Sequence, residues 1–175
     1  MRKLILYTAA SLDGYIAGPN GEIDWIESAN KEGEDYGYSA FIETIDTTLM
    51  GTATYRLAAS FEGGDPYPGK TNYVFTRQSP PPDTDRSRFV TGDIAGFVRD
   101  LKARDGLGIW LVGGGQINTV MLNAGLIDEM VVTLFPLVLG RGIPLFAPGA
   151  DLTPFRTVLA QTFDTGLVQW TLPNP

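Results

Sequence analysis

The feature that most restricts the fold of this chain is a run of three glycines in WLVGGGQINTVMLNAG, residues 110–125. The glycines separate an apolar run typical of a buried strand from a pattern with helical spacing. A glycine inside a regular element costs roughly 0.5–1 kcal/mol relative to alanine. One or two glycines would satisfy a tight turn at positive φ, whereas a third is expected to cost stability without improving the packing. The junction therefore favours backbone contact with a ligand, such as a pyrophosphate at the helix N-terminus, over a turn alone.

Short apolar runs alternate with helical patterns along the chain. They predict strands at residues 3–10, 47–51, 71–76, 88–91, 108–112, 129–138, 156–163 and 167–172, and helices at 35–45, 54–59, 94–101 (capped by Asp93) and 116–123. Such alternation is typical of a parallel sheet covered on both faces, and the turn at 164–166 joins the last two strands as a hairpin. We therefore predict one α/β domain over residues 1–175. It is a three-layer α/β/α arrangement around a single, mostly parallel, twisted sheet with antiparallel C-terminal strands.

The sequence contains neither cysteine nor histidine, which removes whole classes of chemistry. Disulfides, thiol nucleophiles, Ser-His-Asp and Cys-His catalysis and nearly every zinc site require one of these residues. No metal site is therefore predicted.

The charge distribution narrows the range of partners. The net charge is −7 and no block of lysines or arginines occurs, so nucleic acid is not an expected partner. A small anionic ligand stays compatible with this charge, because backbone amides can bind it. No apolar run reaches the roughly 18 residues of a membrane span. The start, MRKLILYTAAS, has a short apolar part and no convincing cleavage site, so we interpret it as a buried strand and predict a cytoplasmic protein.

Four segments in a fixed order carry a family resemblance. They are SLDGYIAG (11–18), LMGTATY (49–55), WLVGGGQI (110–117) and DEMVVTLFPLVLGRGIPLF (128–146). Together they resemble the dihydrofolate-reductase-like superfamily, in particular the C-terminal reductase domain of the bifunctional riboflavin-biosynthesis deaminase-reductase. The resemblance extends over nearly the whole chain. It implies a dihydrofolate-reductase-like fold and a reductase that binds NADPH across the strand ends, with the glycine triplet under the pyrophosphate.

The resemblance also implies which residues contact the cofactor. The matching positions are Ala10, Ile16, Gly18, Met50, Gly51, Thr52, Thr54, Thr76, Arg77, Val112, Gly113, Gly114, Gly115, Gln116 and Ile117. The first three would lie beside the nicotinamide, and the last five would bind the pyrophosphate. Thr52 stands where the family commonly has a basic residue, and Arg56, one helical turn further on, would compensate.

Thr76 and Arg77 match the segment of the family that receives the adenosine 2′-phosphate. An arginine fork pairs bidentately with phosphate, so the resemblance favours NADPH over NADH. A solvated arginine at a strand end is the alternative.

One carboxylate is the candidate proton donor. Folate-type members of the superfamily use a carboxylate on the helix before the second strand, where Asp35 lies, and Thr133 matches a threonine that supports it. A carboxyl group between apolar walls could have a raised pKa and donate a proton. The alternatives are that Asp35 is an ordinary acid at a helix N-terminus and that water supplies the proton.

Aromatic residues and two glycines complete the predicted site. Trp25 and Tyr36, with Tyr38, could stack on a flat heterocycle as pocket walls. Gly140 and Gly142 either contact the ligand or form a turn ahead of Pro144.

The prediction is an enzyme, an NADPH-dependent oxidoreductase that transfers a hydride to a small pyrimidine- or pterin-like heterocycle. Lys31 is the only cationic residue between residues 13 and 43, which argues against the phosphoribosyl pyrimidine of riboflavin biosynthesis as the substrate. Dihydrofolate reduction and a non-catalytic nucleotide-binding module stay open as alternatives. An exposed edge of the C-terminal strands, together with the resemblance, predicts a homodimer.

Overall fold

An eight-stranded sheet forms the centre of the computed structural model, which describes residues 1–29, 31–62 and 64–174. The strands in chain order are β1 (Leu4–Ser11), β2 (Tyr15–Ala17), β3 (Ile45–Gly51), β4 (Thr71–Phe75), β5 (Ser87–Val90), β6 (Gly108–Gly113), β7 (Glu129–Phe135), β8 (Ile143–Pro144), β9 (Leu159–Thr162) and β10 (Val168–Pro173). The large sheet has the order β5-β4-β3-β6-β1-β7-β10-β9, and β2 pairs with β8 in a small separate sheet. The pairings of the large sheet are parallel except those of β10 with β7 and β9. The predicted fold class is confirmed.

Helices cover both faces of the large sheet. In chain order they are a 3-10 helix at Asp24–Ala29, α1 (Tyr38–Glu43), α2 (Thr52–Glu62), α3 (Ile94–Lys102) and α4 (Gly115–Asn123). Neighbouring residues of a strand face opposite sides of a sheet. Leu6 of β1 belongs to the core that α3 and α4 complete with Val98 and Met121. Its neighbour Tyr7 stacks instead on Phe41 of α1, with ring centroids 4.2 Å apart. Within the described ranges, no helix has the length and apolarity to cross a membrane.

The start of α3 shows how local sequence signals determine structure in this chain. The carboxylate of Asp93 accepts a hydrogen bond from the amide of Gly96 at 2.9 Å, which satisfies a free donor of the first helical turn. Val98 and Leu101, at helical spacing, are buried in the core. The predicted helix and its predicted cap are both confirmed.

Several boundaries differ from those predicted, for identifiable physical reasons. α1 begins at Tyr38 rather than at residue 35, because Tyr36 and Gly37 have φ angles of 55° and 82°, outside the right-handed helical region. β7 ends at Phe135 because Pro136 has no amide hydrogen to donate to a neighbouring strand. β2 and β8 are absent from the prediction, because strands of two or three residues are too short to show periodicity.

Candidate functional site

The carboxyl ends of β3 and β6 provide the best place for a ligand. The two strands are parallel neighbours. The chain leaves them in opposite directions, since β3 leads through α2 to β4 and β6 leads through α4 to β7. Right-handed crossovers that run in opposite directions lie on opposite faces of a sheet. The carboxyl ends of β3 and β6 are therefore a topological switch point, and a crevice at such a point is where open α/β sheets bind their ligands.

Two helices begin at this crevice with almost no connecting chain. α2 starts directly after the last residue of β3, and only Gly114 separates β6 from α4. The amides of Ile117 and Asn118 donate to the carbonyl oxygen of Gly114 at 2.9 and 3.0 Å. The amides of Gly115 and Gln116 precede these first intrahelical bonds. They can donate to an anion, which the positive end of the helix dipole also favours.

The glycines of the triplet have different structural roles. Gly113 has a φ of 104°, and a Cβ there would lie 3.0 Å from Oδ1 of the buried Asn118. A Cβ on Gly115 would overlap the carbonyl oxygen of Pro144. The expectation that a third glycine does not improve the packing is therefore wrong, because Gly115 allows β8 to pack against α4.

Gly114 is the one glycine of the triplet that packing does not require. Its φ of −80° is open to any residue. The atoms nearest to an added Cβ are Oγ1 of Thr54, Cδ1 of Ile16 and Cγ2 of Ile143, at 3.7, 3.8 and 3.9 Å. With Gly114 these residues bring together one member of each of the four sequence segments, and we call the group of four the Gly114 cradle. A methyl group on Gly114 would therefore make ordinary van der Waals contact with all three neighbours, and hydrogen leaves the main chain there uncovered by a side chain.

Other predicted cofactor contacts are partly used by the fold itself. Ala10 and Met50 are fully buried, which leaves only their main chains for a ligand. Oγ1 of Thr52 donates to the carbonyl oxygen of Phe75 at 3.2 Å. The amide of Gly18 is used in a turn. These residues therefore shape the crevice more than they offer side chains to it.

Arg77 lies just beyond the carboxyl end of β4, which is the neighbour of β3. The amide of Thr76 donates to the carbonyl oxygen of Val90 at 3.0 Å, and this bond continues the β4–β5 ladder. Arg77 itself is exposed and forms no ion pair with any residue that the structure describes. Its guanidinium is free to meet an anionic group at this end of the sheet.

Asp35 lacks the property that a proton donor needs. Its side chain is exposed, and its carboxylate accepts hydrogen bonds from the amides of Gly37 and Ser39, both at 2.9 Å. Hydrogen bonding by the Ser39 side chain, followed by these amides, lowers the pKa of Asp35. The expectation of a raised pKa is wrong, and the structure favours the alternative of an acid that caps the start of a helix.

Thr133 has an amide partner where a carboxylate was expected. Its Oγ1 accepts a hydrogen bond from Nε2 of Gln169 at 2.9 Å, and the same Nε2 donates to the carbonyl oxygen of Tyr36 at 3.0 Å. The hydroxyl of Tyr7 also donates to that carbonyl oxygen at 3.0 Å, and burial raises the pKa of Tyr7. Sequence reasoning missed Gln169, because only the register between β10 and β7 places it opposite Thr133.

Trp25 and Tyr36 pack in a small apolar cluster around Phe135 and Leu167, near the carboxyl end of β7. The Trp25 ring meets Phe135 edge-on with centroids 5.0 Å apart, and the Tyr36 ring meets Phe163 at 4.9 Å. Nε1 of Trp25 is buried without a hydrogen-bond partner among the described residues. Next to these rings a cavity of about 210 Å³ is lined by Lys31, Glu34 and residues 162–165. Nζ of Lys31 lies 3.2 Å from the Asp164 carboxylate, so this cation already has a partner.

Residues 2–169 match the protein family described as the RibD C-terminal domain. The chain is also 40% identical over 155 residues to YwjB of Bacillus subtilis (strain 168), an uncharacterized protein. That match covers 89% of this chain and 88% of YwjB.

Solved structures share the fold. A protein from Shewanella sp. PV-4 named for riboflavin biosynthesis has a TM-score of 0.86 and 32% identity over 99% of both chains. The diaminohydroxyphosphoribosylaminopyrimidine deaminase/5-amino-6-(5-phosphoribosylamino)uracil reductase of Thermotoga maritima has a TM-score of 0.72 and 16% identity, over 99% of this chain and 57% of its own. Dihydrofolate reductase of Enterococcus faecalis, solved with NADP(H), has a TM-score of 0.69 and 16% identity, over 98% and 95%. Family and neighbours together support a reductase-like function.

Proposed function

Because the chain belongs to the RibD C-terminal domain family, we propose that it is an NADPH-dependent reductase of a small pyrimidine- or pterin-like heterocycle. The observation that carries the proposal is the Gly114 cradle, a bare stretch of backbone beside two helix N-termini. The free amides there would match the charge of a pyrophosphate, and the missing side chain would permit its close approach. The NADP(H) bound to the E. faecalis enzyme and the reductase activity in the name of the T. maritima protein support the same class.

Separate parts of the crevice would hold separate parts of the cofactor. The amides of Gly115 and Gln116 would bind the pyrophosphate, and Arg77 would bind the 2′-phosphate. Ile16 and the main chain of Ala10 would lie beside the nicotinamide. When bound, NADPH supplies the hydride.

We propose water as the source of the proton. Asp35 is exposed and has a lowered pKa. The polar groups around Thr133 are the amide of Gln169, the phenol of Tyr7 and the carbonyl of Tyr36. Dihydrofolate reduction is disfavoured, because the side-chain partner of Thr133 among the described residues is the neutral amide of Gln169 and not a carboxylate.

Titration with NADPH and assays of its oxidation test the proposal. The purified protein is mixed with NADPH, and binding is followed through the fluorescence of the cofactor. Pyrimidine and pterin candidates are then added, and loss of the NADPH absorbance band is recorded. Binding with turnover on a candidate of either class is the expected result. Binding without turnover on any candidate would favour a non-catalytic nucleotide-binding module, and absence of binding would refute the cofactor.

Replacing Arg77 with glutamine is expected to weaken NADPH binding by at least tenfold and to leave NADH binding unchanged. The 2′-phosphate distinguishes the two cofactors, and loss of one charge-assisted phosphate contact is worth roughly 1.5–3 kcal/mol. Dissociation constants for both cofactors, measured by calorimetry, check this. Arg99→Gln on α3, at another exposed arginine, is the control. Equal losses of affinity for NADPH and NADH would show that Arg77 does not bind the 2′-phosphate.

We propose a homodimer that forms through the C-terminal edge of the sheet. β9 is an edge strand, and Val158, Leu159 and Trp170 on or beside β9 and β10 are 51%, 52% and 38% exposed. Exposed apolar edges are usually covered in native proteins. Leu159→Lys is expected to convert the dimer to a monomer in sedimentation experiments, whereas Leu107→Lys, at a 54% exposed leucine outside this edge, is not. A wild-type protein that sediments as a monomer would refute the proposed homodimer.

A further inference from the structure

Two loops follow the carboxyl ends of neighbouring strands, and each contributes one isoleucine to the Gly114 cradle. Loop 12–18 follows β1 and contains Ile16, and loop 136–146 follows β7 and contains Ile143. β1 and β7 are paired in parallel up to the register of Ser11 with Phe135, so the loops start side by side. Both isoleucines then reach the position of Gly114. The positions of the two isoleucines therefore depend on the contacts between the two loops.

Backbone contacts join the loops along their length. The amide of Leu12 donates to the carbonyl oxygen of Leu137 at 2.8 Å, and the amide of Leu145 donates to that of Gly14 at 2.8 Å. β2 and β8 pair further along. Gly142 has a φ of 157° and lies where a Cβ would overlap the carbonyl oxygen of Ala17. Gly142 thus has a packing role between the loops, which is neither of the two alternatives, ligand contact or a turn, that the sequence left open.

Asp13 adds a side-chain link between the two loops. Its carboxylate accepts hydrogen bonds from the amide of Gly140 at 2.7 Å and from the amide of Leu139 at 3.1 Å. It also accepts one from the hydroxyl of Ser11 at 2.6 Å, and that hydroxyl in turn accepts from the amide of Tyr15 at 3.0 Å. The Ser11 hydroxyl, followed by the two amides, lowers the pKa of Asp13, so the carboxylate is ionised at neutral pH. Charge-assisted bonds of this kind are stronger than neutral ones.

We infer that Asp13 is a positioning residue for the cofactor site. It fixes loop 136–146 against loop 12–18, and this contact holds Ile143 and Ile16 beside Gly114, where the proposed dinucleotide would bind. No local sequence pattern indicates this link, because the two amide partners of Asp13 lie 126 and 127 residues further along the chain. The inference rests on the proposed NADPH site and adds a residue outside the direct contacts.

Asp13→Asn tests the inference with hydrogen–deuterium exchange and NADPH titration. Asparagine keeps the size of the side chain, but its amino group cannot accept a bond from a backbone amide. Faster exchange is expected in both loops, together with an NADPH dissociation constant raised about tenfold and a Tm within a few degrees of wild type. NADPH should slow exchange of both loops in the wild type and do so less in the variant. Asp93→Asn, at another exposed aspartate that accepts a backbone amide, is the matched control.

Ser11→Ala is a second variant in case Asp13→Asn folds poorly. It keeps the carboxylate and removes one of its donors, so smaller changes in the same direction are expected. An unchanged dissociation constant in both variants, with wild-type protein that binds NADPH, would overturn the inference and leave the proposed function standing. If the wild type itself fails to bind NADPH, the proposed function is refuted, and the positioning role is refuted with it.

Discussion

Gly115→Ala is expected to lower the free energy of unfolding by about 3 kcal/mol, the upper range for a group forced into a packed interior. The added methyl group would overlap the carbonyl oxygen of Pro144. That oxygen belongs to backbone and cannot rotate away as a side chain can. The same contact region contains the bond from the amide of Ala147 to the carbonyl oxygen of Gly115 at 3.3 Å and the bond from the hydroxyl of Thr119 to the same oxygen at 2.9 Å. Relief of the overlap must therefore displace β8 from α4.

Urea unfolding followed by circular dichroism measures this loss. Gly125→Ala is an instructive comparison, because Gly125 has a φ of 64° but open space around a Cβ. It should cost only the roughly 1–2 kcal/mol of placing alanine in the left-handed region. A loss below about 0.5 kcal/mol for Gly115→Ala, the usual range of surface substitutions, would show that Pro144 is not held against α4.

The sequence predicts the elements of this fold better than their arrangement. Apolar periodicity and a capping aspartate are local, and they place α3 and most strands within a few residues. The strand order β5-β4-β3-β6-β1-β7-β10-β9 is set by pairings between distant parts of the chain, which no local pattern contains. The family resemblance supplies that order, since it ties four segments to a known fold.

The candidate site, like the fold, can be predicted only in part from the local sequence. The glycine triplet is visible in the sequence, but its separate roles depend on which atoms approach each glycine. Pro144 approaches Gly115 and Asn118 approaches Gly113, whereas a Cβ on Gly114 would make only ordinary contacts. The amide of Gln169 beside Thr133 likewise depends on the register of β10 against β7. Residue types therefore indicate where chemistry can occur, and distant contacts decide which residue takes part.

Gly114→Ala is expected to weaken NADPH binding at least tenfold, or about 1.4 kcal/mol, with little change in stability, and Gly114→Val is expected to weaken it about a hundredfold. The alanine methyl fits the Gly114 cradle at 3.7–3.9 Å from its three walls, so the fold accepts it while the space for the cofactor is reduced. An alanine at a compatible φ can even stabilise the protein slightly through the unfolded state. Valine adds two further methyl groups to the same space.

A comparison of NADPH binding with NADH binding distinguishes the effect of the Gly114 substitutions from that of Arg77→Gln. The pyrophosphate is common to NADPH and NADH, so Gly114→Ala should weaken binding of both by the same factor, in contrast to Arg77→Gln. Paired calorimetric titrations of the two variants with both cofactors separate the two subsites. Thermal unfolding of the same samples shows whether a loss of affinity reflects lost structure. If Gly114→Val binds both dinucleotides as the wild type does, the pyrophosphate does not lie on the bare backbone at residue 114, because a valine side chain and a close phosphate cannot share that space.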